Sequence, residues 1–234
     1  PTNSELMRRA REGRADPVLL VAEQQTAGRG RMGRSWVTPE GSALTFSLGL
    51  PLKPAHWSGL SLAVGVTLIE ALDPEGKLGL GLKWPNDLWH WPSSSSPAKL
   101  GGILIETLQP PGMSEGRYVV AGMGLNLMTP AIDTGGVAAR GLDHWGEAPA
   151  TGSVLAQVAP AVVQAMAAFE QHGPASWLAR FDRHDVLRGR TLQTSQGVQG
   201  VGAGVDALGA LLLLTDDGMV RVDSAEVSVR PLKI

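Results

Sequence analysis

Residues 26–41, TAGRGRMGRSWVTPEG, most constrain the fold of this chain, because they carry no apolar periodicity and sit between two strand-like runs, VLLVAEQQ (18–25) and ALTFSLGL (43–50). A segment that buries no face must cross the surface as a loop. Within it GRGRMGR, Gly28 to Arg34, alternates glycine with arginine. Arginine offers a planar fork of donors for phosphate or carboxylate, and glycine lets backbone N–H groups approach an anion. The segment reads either as an oxyanion cradle or as a solvated arginine–glycine loop of the kind that binds RNA. It is not a GxxxxGK[ST] loop, and no GxGxxG opens a helix after a strand.

The flanking chain predicts a mixed helix and sheet architecture. A helix is expected over 3–15, entered through Thr2, Asn3 or Ser4 as side-chain caps. Leu60, Val64, Leu68 and Leu72 recur every four residues and predict a second helix over 57–72. Four strand runs follow at LGLGLKW (78–84), DLWHW (87–91), KLGGILIETL (99–108) and RYVVAGMGLNL (117–127), with the polar PSSSSPA between the second and third reading as a hairpin loop. Residues 128–150 read as an irregular connection. Residues 154–173 read as a helix with a glycine C-cap, and 174–184 as a shorter one. After Leu187 the pattern changes to short strands (191–196, 198–207, 210–216, 219–223 and 226–230), with Asp217 and Gly218 marking a tight turn. This predicts two domains, 1–186 and a small all-β unit over 187–234.

Three further segments carry polar groups at strand ends. KWPND places Lys83, Asn86 and Asp87 about a proline turn. KLGGILIE places Lys99 at the start of an apolar strand beside Gly101 and Gly102, which leave either room for a ligand or a β-bulge. GMGLNL ends a strand with Asn126 as its one polar side chain. Each has a bland alternative as a turn, a hairpin strand or a satisfied core asparagine. Their convergence within one α/β unit is the argument for a site.

Composition narrows the partners. Net charge is -2, which gives no general affinity for nucleic acid or anionic membrane. Only five of the 20 cationic residues are lysines, so Lys83 and Lys99 stand out. No cysteine is present, which excludes disulfides, thiolate metal sites and a cysteine nucleophile and suits a reducing cytoplasm. No run of about 18 uninterrupted apolar residues predicts a membrane span. The first residue is Pro1 rather than Met, which suggests a trimmed N-terminus.

The ordered series TNSEL, EQQTAGRGRMGRSW, KWPNDL, KLGGILIE and GMGLNL resembles the catalytic domain of biotin protein ligases, and the final SAEVSVRP segment resembles their small C-terminal domain. The resemblance implies an α+β fold: a mixed β-sheet catalytic domain of the biotin/lipoate ligase type, like that of class II aminoacyl-tRNA synthetases, with helices packed on the sheet, plus an SH3-like C-terminal β domain. It implies an enzyme that forms biotinyl-AMP from biotin and ATP with Mg²⁺, then transfers biotin to a lysine of a biotin carboxyl carrier protein, as a monomer or homodimer. By resemblance, biotin contacts fall on Thr2, Asn3, Gln25, Gly28, Arg29, Gly30, Arg31, Trp36, Lys99, Gly101 and Gly102. ATP contacts fall on Arg29, Arg31, Arg34, Lys83, Trp84, Asn86, Gly122, Gly124, Asn126 and Arg230, with no residue assigned to the metal. Arg31, Lys83, Asp87 and Lys99 are the expected catalytic set, with Asp87 the candidate to receive or orient the acceptor amine. Glu226 and Arg230 are the charged candidates on the C-terminal unit. The family usually has Ser before the Thr-Asn pair, where this chain has Pro1, so one hydroxyl contact is lost or supplied elsewhere. With the first motif already at residue 2, no DNA-reading helix-turn-helix is expected in the chain as given. A lipoate or octanoate ligase shares the same logic, and a non-enzymatic nucleic-acid module is the reading from a different class.

Overall fold

The computed structural model describes residues 1–36, 39–92, 96–130, 138–223 and 229–231, with the side chain of Val229 not described. Glu226, most of the expected strand 226–230, part of the PSSSSPA loop and part of the 128–150 connection lie outside the described residues. In chain order the elements are α1 (Thr2–Arg11), β1 (Val18–Ala22), β2 (Ala43–Leu52), α2 (Leu60–Leu72), β3 (Leu80–Lys83), β4 (Asp87–His90), β5 (Ala98–Leu108), β6 (Arg117–Asn126), α3 (Thr151–His172), α4 (Ala175–His184), β7 (Thr191–Thr194), β8 (Gln199–Val205), β9 (Leu211–Thr215), β10 (Gly218–Val222) and β11 (Val229–Pro231).

The first six strands form one sheet in the order β1-β2-β6-β5-β4-β3, and the last five form a second in the order β10-β9-β8-β7-β11. Every ladder between these strands is antiparallel, and among the described residues the parallel element comes from the isolated bridges Leu82↔Asp185 and Lys99↔Ala139. The resulting α+β architecture agrees with the expected fold class. Its strands alternate as half-buried strands must. Leu44, Phe46 and Leu48 of β2 and Val119, Ala121, Met123 and Leu125 of β6 face a core shared with α2 and α3. On the opposite face Tyr118 and Val120 pack under Leu6, Met7 and Ala10 of α1. Helix α1 covers only one end of that face.

Several boundaries differ from expectation for local reasons. Helix α1 stops at Arg11 because Gly13, at φ 83°, reverses the chain and Arg14 N–H closes on Arg9 C=O at 3.0 Å. Its N-cap is Pro1, with no side-chain cap; the Thr2 hydroxyl accepts from Ser47 Oγ and the Asn3 amide donates to Leu104 C=O, both in the sheet below. Strand β1 ends at Ala22 rather than Gln25, which frees Gln25 to turn back towards Thr2. Helix α3 ends at Gly173, φ 66°, as the C-cap glycine predicts. It is long and apolar enough to pass a length test for a membrane span, yet Val158, Val162, Met166 and Phe169 lie in the core.

The two sheets are not separate bodies. Leu187, Leu192, Leu211, Leu213 and Val222 belong to the same hydrophobic core as α2 and the first sheet. At this junction the Asp185 carboxyl accepts from Leu187 N–H at 2.8 Å, while its Oδ2 is buried without a hydrogen-bond partner among the described residues. Burial pushes its pKa up to about 6. Because the folded state holds the proton more tightly than the unfolded chain, this group's contribution to stability falls as pH rises from about 4 to about 6 and is level above that. Comparing Asp185→Asn with the parent by urea unfolding, the stability difference should move in the variant's favour by about 2 to 3 kcal/mol between pH 4 and pH 7. A difference independent of pH would place the proton elsewhere.

Candidate active site

Beyond the end of α1, the outer face of the first sheet is paved with glycine. Gly122 and Gly124 follow Val120 at the period of two along β6, and Gly102 of β5 lies opposite Gly124. Each vacancy is filled by a different approach. A Cβ at Gly122 would come within 2.1 Å of Asn3 Oδ1, one at Gly124 within 2.7 Å of the Trp36 ring, and one at Gly102 within 3.5 Å of both Asp87 Oδ1 and Lys99 Nζ. The start of α1, the arginine loop and the Lys99–Asp87 pair therefore all descend on one strip of backbone.

A β-bulge brings Lys99 to this face. Leu88 and Trp89 of β4 pair with Gly101 and Lys99, so Leu100 is extra, and Lys99 and Gly102 face the same side although three residues apart. Lys99 Nζ donates to Asp87 Oδ1 at 2.6 Å and lies 5.7 Å over the Trp36 ring. Gly101, expected as a ligand contact, belongs to the bulge: its missing Cβ would meet Gly124 O at 2.5 Å and Leu125 on the core side. Bulge and open floor, alternatives in the sequence, turn out to share the two glycines.

The arginine segment folds as a small hairpin. Trp36 N–H bonds to Gly28 C=O at 2.9 Å, Gly30 N–H to Arg34 C=O at 2.7 Å, and Arg29 and Ser35 form a bridge. Its tip turns through two left-handed residues, Met32 (φ 56°) and Gly33 (φ 71°). Arg29 donates to Ser4 Oγ on α1, and Arg31 donates to Asn86 Oδ1 at 3.2 Å, so the hairpin is tied down at both sides of the strip. Asn86 is itself fixed by its amide bond to Ile103 C=O at 2.7 Å. The Trp36 indole N–H is buried without a partner among the described residues.

The charge of the strip is positive. Burial pushes the Lys83 ammonium down to about 8; Asp87 opposes that shift, while Lys99, Arg34 and Arg230 add to it. Burial also lowers Arg31 from the usual guanidinium range, against the pull of Asp87. Arg230, on β11 opposite Gln193, contributes to that field. Several cations around one carboxylate, in a partly dehydrated cleft, suit ligands carrying more than one negative charge.

At the α1 end, Thr2 N–H donates to Gln25 Oε1 at 2.8 Å, and Asn3 Nδ2 donates to Leu104 C=O at 3.1 Å and Glu106 Oε2 at 2.9 Å. Ser47 Oγ lies 2.6 Å from Thr2 Oγ1 and 2.7 Å from Asn3 Oδ1. Ser47 and Glu106 are absent from the residues picked out by motif. The signal for Ser47 was there in ALTFSLGL, where Thr45 and Ser47 alternate with Leu44, Phe46 and Leu48 and so share the polar face.

Two expected nucleotide contacts are placed elsewhere. Trp84 is fully buried and donates to Gly209 C=O at 3.0 Å. It stands one residue past the end of β3 and packs in the core that Leu80 and Leu82 of that strand also enter. Gly122 lies beneath Asn3, serving helix packing rather than an open floor. Asn126 bonds to Arg140 C=O at 3.2 Å. Thr2, Asn3, Gln25, Gly28 to Arg31, Arg34, Trp36, Lys83, Asn86, Asp87, Lys99, Gly102, Gly124, Asn126 and Arg230 are brought to or beside the strip.

The biotin/lipoate A/B protein ligase family matches residues 8–126, and the biotin protein ligase C terminal domain matches residues 191–230. The chain is 32% identical to the bifunctional ligase/repressor BirA of Escherichia coli over 98% of its own length and 71% of that protein. It is also 32% identical to the biotin--[acetyl-CoA-carboxylase] ligase of Paracoccus denitrificans, over 97% and 95% of the two chains. The solved structure of biotin protein ligase from Aquifex aeolicus in complex with biotin and ATP superimposes with a TM-score of 0.76 at 26% identity, covering 92% of this chain and 89% of that one. With its glycine-floored cleft, arginine hairpin and C-terminal β unit, the chain belongs to the biotin/lipoate A/B protein ligase family and carries the biotin protein ligase C-terminal domain.

Proposed function

We propose that this chain activates biotin with ATP as biotinyl-AMP and transfers the biotinyl group to a lysine of a biotin carboxyl carrier domain, acting in the cytoplasm. The observation that carries the reading is the Lys99–Asp87 pair over Gly102, roofed by the arginine hairpin and surrounded by Lys83, Arg34 and Arg230. The uncharged polar cluster of Thr2, Asn3, Gln25 and Ser47 suits the ureido end of biotin, and Ser47 is a hydroxyl standing beside the Thr-Asn pair where Pro1 offers none. The cationic end receives the carboxylate and the phosphates.

In the first half-reaction a biotin carboxylate oxygen attacks the α-phosphorus of ATP and pyrophosphate leaves. Two anions must meet, so donors fixed in advance lower the barrier most. Lys99 stands where it neutralises the carboxylate and then the acyl phosphate, while Asp87 holds the Lys99 ammonium in place. Arg31 and Arg34 shield the mixed anhydride from water as parts of the hairpin. Mg²⁺ would be held chiefly by the nucleotide phosphates, since Asp87 is engaged by Lys99, and it would supply charge neutralisation on the triphosphate. In the second half-reaction the acceptor amine attacks the acyl carbon, AMP leaves, and Asp87 takes the amine proton.

Biotin-dependent exchange of labelled pyrophosphate into ATP, with Mg²⁺ and no acceptor, tests the reading. Exchange with lipoate and none with biotin would overturn it. The reading also fixes a pH dependence. In the free enzyme Lys83 is protonated below about 8, and the triphosphate needs that charge. kcat/KM for ATP, which reports the free enzyme, should fall by about tenfold per pH unit above 8, and Lys83→Arg should move that limb upwards.

A further inference from the structure

Four groups outside the site form a cluster that the reaction as described does not use. Arg140 Nη1 lies 2.9 Å from His90 Nδ1 and 2.7 Å from His144 Nε2, and the rings of His90, His144 and Trp145 lie in mutual contact at 5.0 to 5.2 Å. Arginine only donates, so the ring nitrogen of each histidine that meets the guanidinium is the acceptor. His90 is buried, and burial first, then Arg140 and His144, hold it down to about 4.

The backbone of Arg140 is tied to the reacting lysine. Lys99 N–H donates to Ala138 C=O at 2.7 Å and Arg140 N–H to Lys99 C=O at 2.9 Å, a short parallel pairing beside the start of β5. Asn126 adds a bond to Arg140 C=O. His90 belongs to β4, which pairs with β5 from its other side through His90↔Ala98 and Trp89↔Lys99. Arg140 therefore spans the strand that carries Lys99, with its backbone on one edge and its side chain bound to a residue from the other. At the bulge, where β5 has an extra residue, Lys99 has less regular ladder to hold it than a mid-strand residue.

We propose that Arg140 is a positioning residue: its guanidinium, bonded to His90 and His144, staples segment 138–140 across β5 and so sets where the Lys99 ammonium stands over Gly102. The catalytic half of this inference rests on the proposed adenylation. In Arg140→Leu, kcat for biotin-dependent pyrophosphate exchange should fall about 10- to 100-fold, as for a displaced reacting group, with KM for ATP and biotin changed less than about threefold. Arg140→Lys, which keeps the charge and N–H donors, should recover a substantial part of the rate. Hydrogen exchange at the Lys99 and Arg140 amides should accelerate at least about tenfold in Arg140→Leu, while amides of the β2–β6 ladder stay as they were. Should Arg140→Leu fail to fold, His144→Ala on the exposed 3₁₀ turn takes its place, with a kcat loss of about three- to tenfold expected. An unchanged kcat in the folded variants overturns the proposal, whatever the amides do. If the wild-type chain shows no exchange with biotin, the reaction is misread, and the amide measurement alone decides the staple: unchanged protection at Lys99 sinks it.

Discussion

Lys99→Met should lower biotin-dependent pyrophosphate exchange by about a hundred- to a thousandfold, the range observed when one preorganised donor to a developing negative charge is removed. The loss should fall on kcat more than on KM, because Lys99 is proposed to meet the acyl phosphate more strongly than the starting carboxylate. Stability should change little. The Lys99 and Asp87 side chains keep 27% and 18% of their exposure, so the pair is partly screened, and losing it should cost about 1 kcal/mol. The orphaned Asp87 carboxylate also keeps favourable neighbours in Lys83 and Arg31. Single-turnover exchange beside a thermal melt separates the two effects. A variant that loses activity only in proportion to a collapsed melting temperature would show Lys99 to be structural.

Gly28→Ala should be as damaging by a different route. A methyl there would lie 2.2 Å from the carbonyl oxygen of Trp36, a backbone atom that cannot swing aside. The Trp36 N–H to Gly28 C=O bond would break, and with it the hairpin that holds Arg29 on Ser4 and Arg31 on Asn86. Biotin affinity, read by calorimetry, should fall about a hundredfold, and any adenylate formed should hydrolyse faster because its cover no longer closes. The rest of the fold should survive, since the hairpin is largely exposed. Gly30→Ala is the contrast within the same motif: its Cβ would sit 3.6 Å from Arg34 O, an ordinary contact, and the loss of affinity should stay within about fivefold. Equal damage at both glycines would mean that the hairpin is not the relevant conformation.

What the amino-acid pattern discloses about this site depends on whether the information is local. The arginine hairpin, the Lys99 strand and the Asn86–Asp87 turn are contiguous words, and the chemistry of each is legible where it stands. The period of two places Leu44, Phe46 and Leu48 on the core face and Ser47 on the other. Trp84 parts from its motif neighbours: it stands just past the end of β3, buried, with its indole N–H on Gly209 C=O, a partner 125 residues away that no local pattern discloses. The bulge at Leu100 could not be read, since two glycines in a strand signal either a bulge or an open floor and pairing with β4 is needed to show that they are one of each. Arg140 was illegible for a different reason: its partners are 50 residues before it and four after it, and no motif joins them.

The core shared by the two sheets has a consequence for how the molecule melts. Trp84 follows a lysine of the cleft and reaches with its indole to Gly209, while Leu211 and Leu213 complete packing that α2 and the first sheet begin. Loosening the C-terminal strands would open the wall behind Lys83, so cleft and appendage should melt in a single transition, and the charge of the cleft should be only as durable as the strands contributed by the last fifth of the chain.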